Sequence, residues 1–156
     1  VTTTDDDEPY ISFTSASQVS HSENGSLIIT AELSNPSSRM ITLPFTVESS
    51  SSADGTDYSI SSSPITIAAG QTSGNIVISI SADELDEQDE IVIVNMETPI
   101  NAIFGVTTSH SATITDDDHT PEITSTQSFS INENSANTTS LGFVGATDAD
   151  TGTTFQ

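Results

Sequence analysis

The acidic residues of this chain fall into clusters rather than being spread evenly along it. Two Asp triplets, Asp5–Asp7 and Asp116–Asp118, stand beside short apolar runs, and the stretch ADELDEQDE (residues 82–90) holds six further acids. Smaller groups include Glu23 in SENG and Asp57 in ADGTDY. Carboxylates gathered in this way either form solvated turns or act as ligands for a cation.

The overall charge of the chain favours a role for cations. There are 23 Asp and Glu residues against a single Lys or Arg, Arg39, which gives a formal net charge of −22. Internal salt bridges cannot balance so many acids. Because the same charge would repel nucleic acids and anionic membranes, we expect no nucleic-acid partner. No apolar run approaches the length of a membrane span, so we also expect no direct membrane insertion.

The residue types select calcium among the metals. Carboxylates that converge without Lys or Arg repel each other, and a divalent cation removes that repulsion. Calcium takes about six to eight oxygen ligands from carboxylates and backbone carbonyls, whereas magnesium tolerates crowded carboxylate cages poorly and zinc or copper would require His or Cys. We therefore predict that calcium binds to these acidic clusters. Solvated acidic turns remain the alternative for any one cluster.

Several chemistries are disfavoured by what the chain lacks. It has no Cys, which excludes disulfides, thiolate metal sites and Cys nucleophiles together. The three histidines, His21, His110 and His119, show no metal-binding spacing and no triad with a Ser, so we expect them at surface or strand positions. The chain also has no Trp, which a sugar-cleaving site would be expected to offer for stacking. We expect that the protein is not an enzyme.

Short alternating runs of apolar residues predict β-strands throughout. The expected inward-facing sets are Leu27, Ile29, Ala31 and Leu33; Ile41, Leu43, Phe45 and Val47; Ile65 and Ile67; Ile76, Ile78 and Ile80; Val92, Val94 and Met96; and Ala112 and Ile114. The segment YISF (residues 10–13) adds one more strand. The pattern predicts an all-β fold, an immunoglobulin-like antiparallel β-sandwich of about seven strands. Pro44 should lie at a bulge or on the unpaired side of an edge strand.

An internal echo indicates repeated domains. TTTDDDEPYISF near the start resembles TITDDDHTPEIT later, and the interval between Asp5 and Asp116 is 111 residues. A period of that size suggests domains arranged in a row. We therefore assign residues 1–7 to the tail of a preceding repeat, residues 8–118 to one full domain, and residues 119–156 to a partial second β unit.

Residues 8–118 resemble a Calx-β domain, the module found in sodium–calcium exchangers, an integrin β subunit and large bacterial surface proteins. The matching segments are SENGSLIITAELS, GTDYSISSSPITIAAGQTSGNIVISISADELDEQDEIVIVNM, NAIFG and SATITDDD. The resemblance implies that several calcium ions are held by acidic ligands at one end of the sandwich. By position they are Glu23, Asp57, Asp83, Glu87, Glu90, Asp116, Asp117 and Asp118. Ala82 stands where the family often has an acid, which bears on the number of ions.

The C-terminal stretch SFSINENSANTTSLGFVGATDADTG resembles the opening of a cadherin-like repeat, and DDDHTPEI resembles the linker before such a repeat. That resemblance implies three further calcium ligands at the junction between domains. By position they are Glu133, Asp148 and Asp150. If these residues share ions with Asp116–Asp118, the metal stiffens the linker as well as the domain.

Together these features predict a calcium-binding structural repeat of an extended, secreted or cell-surface protein, such as the stalk of an adhesin. Its expected partners are neighbouring repeats of the same chain. Three alternatives stay open: a subunit of a self-assembling fibre completed by strand exchange with like subunits, a calcium sensor, and an accessory module of a secreted hydrolase.

Overall fold

The computed structural model describes residues 8–20 and 22–150. It divides into two compact units: the first comprises Val1–Asp83 and Gln88–Asp117, and the second comprises Glu84–Glu87 and Asp118–Gln156. The first acidic triplet, Asp5–Asp7, and His21 lie outside the described residues. Within the described part of the chain, no helix is long and apolar enough to cross a membrane.

Where the first unit is described, its regular secondary structure consists of β-strands. In chain order they are β1 (Tyr10–Phe13), β2 (Ser17–Val19), β3 (Gly25–Leu33), β4 (Ile41–Leu43), β5 (Phe45–Val47), β6 (Tyr58–Ile60), β7 (Ile65–Ile67), β8 (Ser73–Ile80), β9 (Glu90–Met96), β10 (Ile103–Phe104) and β11 (Ser109–Ile114). Every alternating run of the sequence forms a strand. The short strands β2 and β10 carry no apolar alternation that would have predicted them.

These strands form a sandwich of two main sheets, which confirms the predicted all-β class. One sheet has the order β10-β1-β3-β8-β6, the other has the order β2-β11-β9-β5, and β4 pairs with β7 in a separate ribbon. Most neighbours are antiparallel, but β1 with β10 and β2 with β11 are parallel. The parallel pairs both involve the N-terminal segment, which contributes β1 near the edge of one sheet and β2 at the edge of the other.

Alternation places one face of each long strand in the core. On β3, Ile29, Ala31 and Leu33 are buried while Ile28 is half exposed. The inward residues of β8 and β9 follow the same period of two. The core is largely aliphatic, with Phe13 and Phe45 as its aromatic members. Branched aliphatic side chains therefore provide most of the apolar burial that stabilises the sandwich.

Two of the passages from one sheet to another occur across connections of at most three residues. Between β1 and β2 the chain passes from the five-stranded to the four-stranded sheet. Between β4 and β5 it does so at Pro44, which has no N–H to give to a ladder. There the pairing partner switches from β7 to β9, and the Pro44 carbonyl accepts a hydrogen bond from the Glu97 amide at 2.8 Å. The proline thus marks a switch between sheets.

Strand register gathers several loops at one end of the sandwich. Ile80, the last residue of β8, lies opposite both Gly25, the first residue of β3, and Tyr58, the first residue of β6. On the other sheet, Ile114 at the end of β11 lies opposite Glu90 at the start of β9. The β2–β3, β5–β6 and β8–β9 loops and the segment after β11 therefore share this end, which we call the acidic end.

In its described residues, the second unit contains one two-stranded antiparallel sheet, formed by β12 (Glu122–Ile123) and β13 (Ala146–Thr147). The Gln127 side chain supports this pair: its Nε2 donates to the carbonyls of Thr124, at 2.7 Å, and Gly145, at 2.8 Å. The unit is thus also β in character.

Adjacent residues of β3 test the assignment of the core. Ile29 is 1% exposed and Ile28 is 52% exposed. We expect Ile29→Ala to lower the free energy of unfolding by about 2–5 kcal/mol, since it removes buried methyl groups and leaves a cavity. The matched change Ile28→Ala should cost at most about 1 kcal/mol. Urea unfolding followed by circular dichroism measures both, and equal losses would contradict the assignment.

Candidate metal centre

At the acidic end, Glu23 lies close to both Asp117 and Asp83. The Glu23 amide donates a hydrogen bond to Asp117 Oδ1 at 2.8 Å, which joins the β2–β3 loop to the segment after β11. Glu23 and Asp83 each present a carboxylate oxygen, and the two oxygens lie within 4.8 Å of each other. Ligands of one calcium ion stand at about 2.3–2.6 Å from it, so two oxygens at this separation can share an ion.

Backbone geometry on the β2–β3 side explains how Glu23 reaches this position. Gly25 has a φ of +119°, a backbone conformation that residues other than glycine rarely adopt, and it begins β3 directly after the loop. At the other side of the loop, Ser20 is buried and bonded to Thr115: the Thr115 amide donates to Ser20 Oγ and the Thr115 hydroxyl donates to the Ser20 carbonyl, both at 2.9 Å. These hydrogen bonds hold the ends of β2 and β11 together.

The β5–β6 loop brings Asp54 and Asp57 to the same end. Asp54 Oδ1 accepts hydrogen bonds from the Thr56 amide and hydroxyl, both at 2.7 Å, and these bonds lower the pKa of Asp54 below its usual 3.8. The Asp57 carboxylate accepts from the Asp54 amide and, at 3.0 Å, from the Thr56 hydroxyl. The Asp57 carbonyl accepts from the Ser81 amide at 2.8 Å, which ties the loop to the end of β8.

The β8–β9 loop and the chain after β11 meet through an acid that sequence reasoning missed. The Asp116 amide donates to Asp89 Oδ1 at 3.3 Å, one residue before Glu90 opens β9. Asp89 was not among the predicted ligands, although it lies in the same acidic stretch. Knowledge of the β9–β11 register would have been needed to select it, since that register alone sets Asp89 beside the chain that follows Ile114.

In the second unit, Asp148 and Asp150 lie together with His119. Asp150 accepts from the His119 amide at 2.8 Å, and its Oδ1 lies 3.0 Å from His119 Nδ1. These bonds from His119 lower the pKa of Asp150 from its usual 3.8. The Asp150 amide in turn donates to Asp148 Oδ1 at 3.1 Å. The hydrogen bonds of this pair do not include Glu133, which is exposed on a segment outside the described strands.

The predicted ligands therefore divide between the two units. Glu23, Asp83 and Asp117 come together in the first unit, and Asp57, Glu90 and Asp116 lie at the same end of it. The second unit contains the other five, which are Glu87, Asp118, Glu133, Asp148 and Asp150. Their roles as ligands stay predictions.

The donor set of the acidic end fits calcium. Its side chains offer oxygen ligands, and the only Lys or Arg of the sequence, Arg39, follows β3 at the opposite end. The strand β8 alone, at eight residues, separates the two ends by about 23 Å at the usual rise per residue. No Lys or Arg is thus available to neutralise these acids. Among the described residues that come together here the donors are oxygen atoms, which suit a hard cation better than zinc or copper, since those metals favour nitrogen and sulfur.

Comparison with known proteins shows the fold but not a family. No protein-family model and no curated protein matches the chain. Among solved structures, the apo form of the Calx CBD1 domain matches with a TM-score of 0.63 at 18% identity, over 72% of this chain and 100% of that one.

Two other matches agree. CBD12 from CALX1.2 matches with a TM-score of 0.63 at 19% identity, over 74% of this chain and 48% of that one. The Calx CBD2 domain matches with a TM-score of 0.61 at 12% identity, over 69% and 86%. The chain thus spans about half the length of the CBD12 structure and has a Calx-β-like fold. The resemblance to a cadherin-like repeat stays a prediction.

The pKa of Tyr58 reports on the negative charge at the acidic end. Partial burial raises the pKa of Tyr58 above its usual 10.0, and the negative charges of Asp57 and Asp54 raise it further. Because a negative neighbour disfavours the phenolate, Asp57→Asn should lower this pKa. Absorbance of the phenolate measures it in a Tyr10→Phe background, which leaves Tyr58 as the only tyrosine. Glu97→Gln, at the other end of β9, is the control and should leave the titration unchanged.

Proposed function

We propose that the chain is a calcium-binding structural repeat of an extended, secreted or cell-surface protein, and that it has no catalytic role. The observation that carries the proposal is the approach of the Glu23 and Asp83 carboxylates to within 4.8 Å at an end of the sandwich that has no Lys or Arg. A structure comparison supports it: a solved structure with a TM-score of 0.62 is described as the calcium binding domain CBD12 of CALX1.1.

Within this proposal the acids have distinct roles. Glu23, Asp83 and Asp117 hold the first ion, and Asp57, Glu90 and Asp116 supply further oxygens at the same end. Asp118, which follows Asp117 in the chain, and Glu87 are added by the resemblance to Calx-β domains. The resemblance to cadherin-like repeats adds Glu133, Asp148 and Asp150 as a second group near a junction between neighbouring repeats.

Calcium at these sites would act as a staple. The chain has no Cys, so no disulfide can link the loops of the acidic end. An ion that binds the folded state alone adds about 2.7 kcal/mol of stability when its concentration is one hundred times the dissociation constant. Weak sites would therefore remain filled outside cells, where calcium is abundant. A calcium sensor would need much tighter sites, so calorimetric affinity separates the two roles.

A fibre subunit is a second candidate, and the second unit favours it. That unit exposes apolar side chains, among them Ile123, Phe143 and Val144, which a strand from a like subunit could cover. Size-exclusion chromatography with light scattering decides the matter. Oligomers that grow with concentration would support the fibre, and a monomer at high concentration would leave the repeat as the single proposal.

Thermal unfolding with calcium and with chelator tests the proposed function. We expect calcium to raise the melting temperature by roughly 10 °C, from the linkage energy above and the usual entropy of unfolding. Magnesium should have a smaller effect, since its octahedral geometry fits poorly. Asp83→Asn should remove most of the calcium shift. The control Glu32→Gln removes one charge from an exposed position of β3 and should keep the shift in full.

In the same assay, Asp117→Asn tests whether calcium binding needs the negative charge of this side chain or only its position. An Asn side-chain oxygen still accepts a hydrogen bond from the Glu23 amide, so the variant should melt close to the parent in chelator. In calcium it should fall well short of the parent, because one carboxylate ligand has become neutral. A melting temperature of the parent chain that calcium leaves unchanged would refute the metal role altogether.

A further inference from the structure

The sequence contains one Asn-Gly step, Asn24-Gly25, and it lies where the β2–β3 loop enters β3 at the acidic end. At such a step the peptide nitrogen of the glycine can attack the side-chain amide carbon of the asparagine. Glycine has no Cβ to block that approach, and its backbone reaches conformations that other residues avoid. Both residues are exposed, and no described atom outside the adjoining residues lies within 4 Å of where a Cβ on Gly25 would stand. Neighbouring elements therefore do not hinder this rearrangement.

The hydrogen bonds of Asn24 to other described residues involve its backbone and not its side chain. Its amide donates to Ser22 Oγ at 3.3 Å, and its carbonyl accepts from the same hydroxyl at 3.4 Å. Both distances lie beyond the usual range for protein hydrogen bonds, so the contacts are weak. The side-chain amide is thus able to turn its Cγ atom toward the nitrogen of Gly25.

The attacking nitrogen lies at the end of a strand. Gly25 is the first residue of β3, and its pairing with Ile80 is the terminal pair of the β3–β8 ladder. The end of a ladder opens more readily than its middle, because the outermost pair has a neighbouring pair on one side only. The Gly25 nitrogen is therefore released whenever this end of β3 frays, without unfolding of the sandwich.

A second step of the same kind, Asp54-Gly55, provides a contrast at the same end of the sandwich. Asp54 Oδ1 accepts hydrogen bonds from the amide and the hydroxyl of Thr56, both at 2.7 Å. These bonds fix the carboxylate and lower the pKa of Asp54, so the group stays ionised. An ionised carboxylate is a far poorer target for a nitrogen nucleophile than a neutral amide. Of the two steps, Asn24-Gly25 is therefore the reactive one.

We propose that Asn24 is a site of spontaneous deamidation, which adds a negative charge to the acidic end. The Gly25 nitrogen forms a bond to Asn24 Cγ, the Cγ–Nδ2 bond breaks, and the side-chain nitrogen leaves as ammonia with the proton of the Gly25 peptide group. The cyclic imide that results takes up one water molecule from solvent, and one of its two ring C–N bonds opens. One opening gives aspartate, and the other gives isoaspartate, whose backbone is longer by one carbon. Each product carries a carboxylate in place of the amide.

The new charge lies beside the proposed calcium ligands. Asn24 follows Glu23, whose amide is bonded to Asp117 Oδ1 at 2.8 Å, and adjacent Cα atoms are about 3.8 Å apart. Charges closer than the Debye length, about 8 Å at physiological ionic strength, act on one another without contact. The carboxylate at residue 24 therefore strengthens the attraction of this end for a divalent cation. This consequence rests on the proposed calcium role, whereas the deamidation itself does not.

Mass spectrometry of the full chain, incubated at mildly alkaline pH and then cleaved after glutamate, tests the modification. Cleavage gives one peptide of residues 24–32 and another of residues 134–156, which holds the exposed Asn134 and Asn137 as internal controls. We expect Asn24 to react at least about tenfold faster than either, because the residues that follow those two carry a Cβ. Asn24→Gln, which would have to form a larger ring, should stay intact at this position. Equal rates at the three asparagines would overturn the proposal.

Calorimetry at low ionic strength tests the effect on calcium. Asn24→Asp reproduces the aspartate product, and Asn24→Gln is its uncharged counterpart. We expect calcium to bind Asn24→Asp with a dissociation constant at least about threefold smaller, because the charge around a calcium site sets its affinity. Equal constants would overturn the effect on calcium. Absence of calcium binding in both variants would overturn that effect together with the proposed metal role, while the mass spectra decide the modification by themselves.

Discussion

The main physical constraint on the acidic end is that its carboxylates repel one another and must nevertheless be held close together. Two unit charges at the separation of Glu23 and Asp83 repel by about 1 kcal/mol in bulk water, and more where protein displaces water. Asp54, Asp57, Asp89, Asp116 and Asp117 add to this charge at the same end, and the only Lys or Arg, Arg39, lies at the other. The fold holds these acids in place through hydrogen bonds to backbone amides, which orient carboxylates without neutralising them.

In the sandwich, the carboxylates that repel one another lie apart from the apolar core that stabilises the fold. Its core is apolar and extends between the two sheets, with Ile29, Ile76 and Val92 among its fully buried members. The acids lie on loops at the strand ends, where backbone bonds such as Ser81 to Asp57 fix the loop to the sheet. A cation at this end would therefore change the order of the loops more than the packing of the core.

The sequence predicted the features that depend on neighbouring residues, and it did not predict those that depend on residues far apart in the chain. Alternation is local, so the residues of β3, β8 and β9 that face the core could be identified from the sequence alone. The pairing of Asp89 with Asp116 and the burial of His110 depend on strand register and on which sheet β2 joins, and neither is encoded in a local pattern. Pro44 was predicted to lie at a bulge or on the unpaired side of an edge strand, but the switch of partner from β7 to β9 could be found only from the whole topology.

Strand β11 connects these separate features, because it lies between β2 and β9 in the four-stranded sheet. One of its ends leads into Thr115 and the acids that follow, and its other end carries His110. The N-terminal segment that forms β2 is accordingly held to it at two places, by Ser15 at the His110 ring and by Ser20 at Thr115. Both contacts add to the parallel backbone pairing of Ser17–Val19 with Ser111–Thr113. Since β2 has three residues and lies at the edge of its sheet, that pairing is short, and the two side-chain contacts reinforce it at either end.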